Sequence, residues 1–320
     1  MTELSSTSSA PGGRIAEAFS VLIPAHRAAG YITETLLAVA RQTVQPAEIL
    51  IYEDGRFDDL ADRVNQVRDQ FACPVRLLGE PVNQGVSFAR NHLLRVCRGE
   101  WIAFLDADDI WEPDHLERAA ASFRAGADVC FCGVSFIDPA GQALLGLSGP
   151  TPTDLEDIAS SIFRYNFVQC TSTLVMRAEW IDRVGDFDTT LSHGEDLDLW
   201  LRLLAAGADF RYTGAHTCRY RKHPASAMAN TLKMVERMGA FYEKHLHNPL
   251  IRRRQRRRAL IGNRLVQARL HWTRQPEKSA AALSRLIQLQ PWNPRHVCAW
   301  AIARWRSRHS AGRAQVPLSP

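Results

Sequence analysis

The sequence predicts an α/β domain with a mostly parallel sheet covered by helices, followed by a C-terminal α-helical region. Short apolar runs alternate with segments of helical periodicity from about residue 18 onward, which is the pattern of strands and crossover helices. Strand-like runs stop near Met228. The charge changes close by: residues 1–250 carry 23 basic and 33 acidic side chains, whereas residues 251–320 carry 16 basic and one acidic, Glu277.

The composition and the two ends of the chain give a first organisation. Residues 1–17 are small, polar and low in complexity, which predicts a disordered tail. We expect one domain over residues 18–228 and a basic α-helical region over residues 229–320. No leader-like start and no apolar stretch of about 18 residues occurs, which favours a cytoplasmic protein, with a peripheral membrane position left open. Seven cysteines without a Cys-x-x-Cys pair favour reduced thiols.

The first part of the domain is predicted to alternate between strands and helices. Residues 19–23 are uniformly apolar and end at Pro24, as expected of a buried parallel strand. Three further apolar runs predict strands in the same layer: 48–52, 75–78 and 101–105. The segments between them have helical character: 32–43, about 58–70 and 86–97.

The second part of the domain has weaker patterns. Pro113 favours a helix start, with Leu116, Ala120 and Phe123 on one face. We expect a strand over 128–134, and the Pro, Gly, Ser and Thr content of 138–160 predicts a loop. A strand over 171–176 and a helix over 197–204 complete the predicted domain. Beyond it the pattern is helical, with a hairpin over 266–294.

Acidic residues follow the predicted strands where α/β proteins place their sites. Glu53-Asp54 comes after the second strand, Asp106-Ala107-Asp108-Asp109 after the fourth, and Glu195-Asp196 opens the late helix. Three carboxylates within four residues repel one another unless a cation or donors offset them. Their oxygens suit Mg²⁺ or Mn²⁺, which can also contact substrate phosphates. The alternative is that Asp108 or Asp109 caps the helix beginning near Pro113.

A series of motifs surrounds these carboxylates in one order along the chain. The first half contains Ser-Val-Leu-Ile-Pro-Ala-His-Arg (20–27), Arg-Gln-Thr (41–43), Glu-Asp-Gly-Arg (53–56), Asn-Gln-Gly (83–85), Ala-Arg-Asn (89–91) and Phe-Leu-Asp-Ala-Asp-Asp (104–109). The second half contains Val-Gly-Asp-Phe-Asp (184–188), Glu-Asp-Leu-Asp-Leu-Trp-Leu-Arg (195–202) and Tyr-Arg-Lys-His-Pro (220–224). Over roughly residues 18–228 the chain resembles the family 2 inverting glycosyltransferases, which have the GT-A fold.

This resemblance implies a role for each matching position. Asp108 would bind the divalent metal, Asp106 would lie near the ribose and the metal, and His223 would complete the metal or phosphate contacts. Asp196 would be the general base that takes the proton of the acceptor hydroxyl. The remaining matches would contact the nucleotide sugar: Pro24, Ala25 and His26 at the base, Asp54 accepting from a ring nitrogen of the base, and Arg90, Glu195 and Arg221, the last beside the diphosphate.

The resemblance implies metal-dependent, inverting transfer of a sugar to an acceptor hydroxyl, in cell-surface polysaccharide or glycolipid assembly. Three departures bear on which donor is used: Glu53 replaces the usual Asp, Arg56 a small residue, and His26-Arg27 a Tyr-Asn pair. No glycine-rich loop follows the first strand, which argues against a nucleotidyltransferase or a dinucleotide oxidoreductase. The alternative is a non-catalytic nucleotide-sugar-binding or scaffold protein derived from a glycosyltransferase, which would be expected to lack Asp108 or Asp196.

The basic region lies outside the resemblance. Its densest part has six arginines in seven residues: Arg252, Arg253, Arg254, Arg256, Arg257 and Arg258. Basic clusters are attracted to anionic membranes, where a lipid-linked acceptor would be found, and Trp300 and Trp305 are candidate interfacial anchors. A solvated helical face is the alternative. Nucleic acid is not expected as a partner, because the rest of the chain is acidic.

Overall fold

A computed structural model describes residues 14–223, 231–273 and 275–310 of the chain. The chain divides into two compact units, residues 1–223 and 224–320, called here the N-terminal and C-terminal units. The predicted boundary at residue 228 lies outside the described residues, as do residues 1–13 of the predicted tail.

The N-terminal unit contains one mixed sheet, which has nine strands within the described residues. In spatial order it runs β3-β2-β1-β4-β8-β6-β9-β5, with β7 paired to β6. The four strands β3-β2-β1-β4 are parallel, which confirms the predicted α/β half, while β8, β7 and β5 pair antiparallel. The strands are β1 (Ile15–Ala25), β2 (Glu48–Asp54), β3 (Val75–Glu80), β4 (Gly99–Phe104), β5 (Ile110–Trp111), β6 (Val129–Ile137), β7 (Ala143–Ser148), β8 (Leu174–Arg177) and β9 (Phe210–Arg221).

Helices follow the strands of this sheet and bury their apolar faces in its core. Val21, Ile23, Ile49 and Ile51 from the central strands form one cluster with Leu36 and other helix residues. At one edge of this core the rings of Phe19, Trp101 and Phe123 pack on one another. The helices of this unit are α1 (Ile32–Ala40), α2 (Leu60–Val67), α3 (Val86–Val96), α4 (His115–Arg124), α5 (Pro152–Glu156), α6 (Ile158–Arg164), α7 (Glu179–Val184) and α8 (Glu195–Ala205).

Three segments differ from the sequence-based expectations. Strand β1 begins at Ile15, inside the predicted tail, because Ile15 donates its N–H to Arg98 O and pairs with Gly99 on β4. Residues 138–160 are not one loop: β7 pairs with β6, and Thr151 and Asp154 form a capping box that starts α5. Strand β9 was not predicted, since its polar sequence lacks an apolar run; its backbone pairs with β6 and β5.

The C-terminal unit consists of helices α9 (Thr231–Lys244), α10 (Arg253–His271), α11 (Pro276–Leu289) and α12 (Pro294–Ser310) in its described part. Ala268, Leu283, Leu286 and Ala303 form its apolar cluster, against which Trp300 packs. Across the described residues, none of the helices has the length and apolar character needed to cross a membrane.

Candidate active site

Residues from three parallel strands meet at one edge of the sheet. In register, Ala25 at the end of β1 lies beside Glu53 on β2, and Leu22 lies beside Phe104 on β4. Because parallel strands end at the same edge, the chain leaves the sheet there at His26, at Gly55 and at Leu105. The predicted base-binding and metal-binding segments are therefore neighbours.

Asp54 holds the segment between β3 and α3 in place. Its carboxylate accepts hydrogen bonds from the Gln84 N–H (2.7 Å), the Gly85 N–H (2.8 Å) and the Asn83 side-chain amide (3.0 Å), and the residue is 3% exposed. The sequence suggested that this carboxylate accepts from the nucleotide base. In the structure three donors of the chain bind this carboxylate and fix the Asn83–Gly85 turn. The contact with the base stays a prediction.

His26 and Phe57 form the exposed rim beside Asp54. The Nδ1 atom of His26 lies 2.8 Å from the Asp54 carbonyl oxygen, and its ring meets Phe57 edge-on at 5.1 Å. Phe57 is 48% exposed, and the Arg27 guanidinium lies 4.8 Å from its ring. Gly55 has φ +86°, and a Cβ there would clash with Phe57. Sequence reasoning missed Phe57, although an aromatic residue just after Glu-Asp-Gly-Arg was a usable signal for a surface that stacks on a base.

The segment Asp106–Asp109, called here the carboxylate loop, is fixed by hydrogen bonds from distant elements. The Ser172 hydroxyl accepts from Asp106 N–H (2.9 Å) and donates to the Asp109 carboxylate (2.6 Å). The Thr35 hydroxyl donates to the Ala107 and Asp109 carbonyls. Asp109 is fully buried, and burial followed by the charges of Asp108 and Asp106 raises its pKa well above the usual range. Asp109, which the sequence suggested only as a possible helix cap, and Ser172, which it did not single out, thus fix the shape of the loop. Helix α4 has Asp114 at its N-cap instead.

Asp108 faces outward from this loop and meets a histidine. Its Oδ2 lies 2.7 Å from His223 Nε2, with the Asp108 side chain 30% and the His223 side chain 10% exposed. Burial, and then the neighbouring charge of Asp106, raise the pKa of Asp108, while the bond to His223 opposes this shift. A carboxylate oxygen and an imidazole nitrogen, with the Asp106 carboxylate in the same loop, fit a divalent ion such as Mn²⁺. Of the three predicted metal ligands, the structure therefore pairs Asp108 with His223, whereas the Asp106 carboxylate pairs with Arg90. The three do not form one compact cluster of ligand atoms.

Arg221 lies beneath the carboxylate loop, which corrects its expected place beside a diphosphate. Its side chain is fully buried: Nε donates to the Asp108 carbonyl (2.8 Å), and Nη1 donates to the Asp138 and Pro139 carbonyls (3.2 Å each). Nη2 pairs with Glu34 at 2.6 Å. Each guanidinium nitrogen thus has a partner within the chain, so Arg221 supports Asp108 from below. Glu34 was not recognised from the sequence.

Arg90 connects the carboxylate loop to the start of α8. Its guanidinium, 4% exposed, pairs with Asp106 at 2.8 Å and with Glu195 at 3.1 Å. One buried guanidinium therefore pairs with Asp106, which was predicted to lie near the ribose and the metal, and with Glu195, which directly precedes the predicted general base Asp196. Arg90 and Glu195 were predicted to contact the nucleotide sugar; in the structure they pair with each other, and Arg90 also pairs with Asp106.

Asp196 stands in the first turn of α8, one residue after Glu195. Its Oδ1 accepts from the Leu197 N–H at 2.8 Å, and it forms no ion pair with any residue in the described ranges. Burial, followed by the charge of Glu195, raises the pKa of Asp196 to about 7. A carboxylate whose pKa lies near neutrality can take a proton from a hydroxyl and release it again at physiological pH.

Comparisons with known proteins identify the family of the chain. Residues 20–184, just over half of the chain, match the family described as "Glycosyl transferase family 2". The chain is similar to the Escherichia coli protein named UDP-Glc:alpha-D-GlcNAc-diphosphoundecaprenol beta-1,3-glucosyltransferase WfaP, at 26% identity over 69% of this chain and 84% of that protein. It is also similar to the succinoglycan biosynthesis protein ExoU of Rhizobium meliloti, at 31% identity over 62% of this chain and 60% of that protein.

Solved structures show the same fold. TarS of S. aureus, residues 1–349 in complex with UDP-GlcNAc, aligns with a TM-score of 0.63 at 18% identity, over 91% of this chain and 88% of that one. The mannosyltransferase PcManGT of Pyrobaculum calidifontis, in complex with GDP-Man and Mn²⁺, aligns with a TM-score of 0.57 at 16% identity, over 90% and 86%. The chain belongs to glycosyl transferase family 2, and it is a glycosyltransferase with a GT-A-like fold.

Proposed function

We propose that this family 2 glycosyltransferase moves a sugar from a nucleotide-sugar donor to an acceptor hydroxyl, with a divalent metal and with inversion at the anomeric carbon. The observation that carries the proposal is the Arg90 bridge. It joins a carboxylate loop with a metal-type ligand set to a helix start with a carboxylate of near-neutral pKa. These are the two functions that the reaction requires, and they lie at one edge of the sheet.

On the donor side, the charge on the leaving diphosphate must be neutralised. Mg²⁺ or Mn²⁺ held by Asp108, Asp106 and His223 would supply that charge stabilisation when bound. The exposed rim formed by His26 and Phe57 beside Asp54 offers an aromatic surface for the base. Pro24 and Ala25 are buried at the end of β1, directly before this rim. Asp54 contributes by holding the Asn83–Gly85 turn, and Arg90 holds Asp106 in position.

On the acceptor side, Asp196 accepts the proton of the attacking hydroxyl. The acceptor oxygen forms a bond to the anomeric carbon as the bond from that carbon to the phosphate oxygen breaks, and the nucleoside diphosphate leaves with the electron pair. One base acting opposite the leaving group gives direct displacement. The configuration therefore inverts, without a covalent sugar–enzyme intermediate.

The acceptor is proposed to be a sugar carried on a lipid diphosphate, in cell-surface polysaccharide or glycolipid assembly. The name of the E. coli relative specifies a diphosphoundecaprenol-linked acceptor, and ExoU is named for succinoglycan biosynthesis. We further propose that the enzyme works on the cytoplasmic side of an anionic membrane, since α10 presents arginines and Trp305 is 61% exposed on α12. Trp300, the other candidate anchor, packs instead against the helical cluster.

A donor panel tests the reaction. Purified full-length protein is incubated with UDP-, dTDP- and GDP-sugars, with Mn²⁺ or with EDTA, and nucleotide release and product configuration are measured. We expect metal-dependent release from one nucleotide class and a product of inverted configuration by NMR. Tight donor binding without turnover on any acceptor class would favour the scaffold alternative. Equal rates in EDTA, or retained configuration, would contradict the metal or the inverting step.

A further inference from the structure

The start of α10 has a charge that the chain does not compensate. Six arginines occupy Arg252–Arg258 at the positive end of the helix dipole, and its first turn contains no acidic residue. Positively charged side chains at the positive end of the dipole destabilise a helix. Within residues 14–223, 231–273 and 275–310, none of the six forms an ion pair with a carboxylate. An external anion would remove this repulsion.

Four of these arginines share one face of the helix and line one cleft. Positions 253, 254, 257 and 258 recur one helical turn apart, and they surround an open cleft of about 650 Å³. Ile261 continues this face, and Gln290, the C-cap of α11, forms the opposite side. Arg256 takes a different direction and donates to the Asn248 carbonyl. The cleft thus has a defined set of donors and is distinct from the rest of the arginine cluster.

Most of these donors have no partner within the chain. In the part of the chain that the structure describes, the side chains of Arg253, Arg254, Arg258 and Gln290 make no hydrogen bond, and Arg257 makes one, to the Leu289 carbonyl at 2.7 Å. Guanidinium groups are planar forks whose paired N–H donors match two oxygens of a phosphate. Four guanidiniums that line one cleft, three of them without a hydrogen bond in the described chain, therefore favour an anionic ligand such as a phosphate over an apolar one.

We propose that this arginine cleft, formed by Arg253, Arg254, Arg257, Arg258, Ile261 and Gln290, is a binding site for a phosphate or diphosphate group. The site shares no residue with the carboxylate loop and needs no metal ion. The phosphate can belong to a membrane lipid or to a free phosphate compound. Only the first source rests on the proposed membrane location. A discrete site makes a different prediction from a diffuse basic surface, because the position of each arginine matters as well as the total charge.

Two double variants of the full-length chain separate these possibilities. Arg254→Ala with Arg258→Ala removes two cleft arginines. Arg269→Ala with Arg295→Ala removes two exposed arginines of the same unit that do not line the cleft, so the net charge changes equally. Binding of inorganic pyrophosphate is measured by calorimetry in EDTA, which prevents metal-dependent binding at the carboxylate loop. Circular dichroism confirms that the helices are retained.

We expect pyrophosphate to bind the wild type and the control variant within about twofold of each other, and the cleft variant about tenfold or more weakly, since two charged hydrogen-bonding groups are lost. Equal affinity in all three proteins, or an equal loss in both variants, would overturn the proposal. The source is identified by sedimentation with phosphatidylcholine vesicles that contain phosphatidylglycerol. Sedimentation that only the cleft variant loses, and that pyrophosphate inhibits, identifies a lipid phosphate.

If pyrophosphate binds the cleft while the wild type does not sediment with these vesicles, the ligand is a free phosphate compound and the proposed membrane location fails. Donor turnover with Mn²⁺ is measured on the same variants and is expected to be unchanged. If the wild type binds pyrophosphate but releases no nucleotide from any donor, the proposed reaction is wrong, and the proposed phosphate site in the cleft is still supported.

Discussion

The carboxylate loop and the start of α8 both present aspartates to the site, but the two regions hold them differently. Burial raises the pKa of Asp108 and of Asp196 alike. Asp108 has His223 at 2.7 Å to offset that shift, in a loop fixed by Ser172 and Thr35. Asp196 has a single backbone N–H at 2.8 Å and a neighbouring negative charge on Glu195.

This difference suggests how one residue type performs two tasks. A carboxylate that is partnered and rigidly placed suits a cation, which needs fixed charged ligands. A carboxylate with few partners and a pKa near 7 suits a group that must gain and lose a proton. Arg90 pairs with Asp106, which shares the carboxylate loop with Asp108, and with Glu195, which directly precedes Asp196. This bridge connects the two regions, although Asp108 and Asp196 have different surroundings.

The largest loss of sugar transfer is expected from Asp108→Asn. It removes a charged metal ligand that is partly exposed, so the fold should persist while transfer falls by about 10³-fold or more, the equivalent of losing several kcal/mol of charge stabilisation. Turnover at saturating donor and Mn²⁺ is the measurement. Asp114→Asn, a change of the same kind at an aspartate paired with Arg118 outside the site, is the control. An unchanged rate in Asp108→Asn would remove the metal assignment.

The next largest loss of sugar transfer is expected from Asp196→Asn. The variant should bind donor and metal normally and lose about 10²–10⁴-fold in kcat, the usual contribution of a general base. Donor affinity by calorimetry and single-turnover rates separate the two effects. Asp186→Asn serves as a control, because Asp186 precedes α8 and its carboxylate contacts only Arg95 among the described residues. Should donor binding fall while the rate per bound donor stays the same, Asp196 would belong to the nucleotide site.

The pH profile sharpens the comparison further. Asp196 must be ionised to accept a proton, so kcat should rise with pH through about 7 and fall about tenfold for each unit below it. Glu195→Gln removes a charge that raises this pKa, so its acidic limb should move to lower pH. The pH dependence of kcat in both proteins is the readout. A limb that does not move in Glu195→Gln would indicate that another group titrates.

The parallel half of the fold was predictable from the sequence because strands buried on both faces have uninterrupted apolar runs, as in β1 and β2. Strand β9 was missed because its arginines, tyrosines and threonines give no such run, and its position depends on pairing with β6.

The motifs identified the chemical type of the site residues but not their partners. Arg221 was expected at the diphosphate, yet its guanidinium forms an ion pair with Glu34, which is 187 residues away in the chain. Ser172 lies 66 residues from the Asp106 N–H that it accepts from. Contacts of this range are set by the packed sheet, and no local pattern contains them.

The smallest effect tests whether the rigidity of the carboxylate loop matters. Ser172→Ala removes the hydroxyl that joins Asp106 N–H to the fully buried Asp109 carboxylate, so both groups lose a partner. Leaving such buried groups unsatisfied costs about 1–3 kcal/mol, which we expect as a lower free energy of unfolding in urea. Transfer should fall several-fold through weaker Mn²⁺ affinity, with kcat at saturating Mn²⁺ close to wild type, because Asp196 is untouched. Ser122→Ala, on the exposed side of α4, controls for loss of a hydroxyl elsewhere in the unit. If Ser172→Ala destabilises the protein without changing Mn²⁺ affinity, the hydrogen bonds serve the fold alone, and the contrast between a rigid metal loop and a loosely held base does not hold.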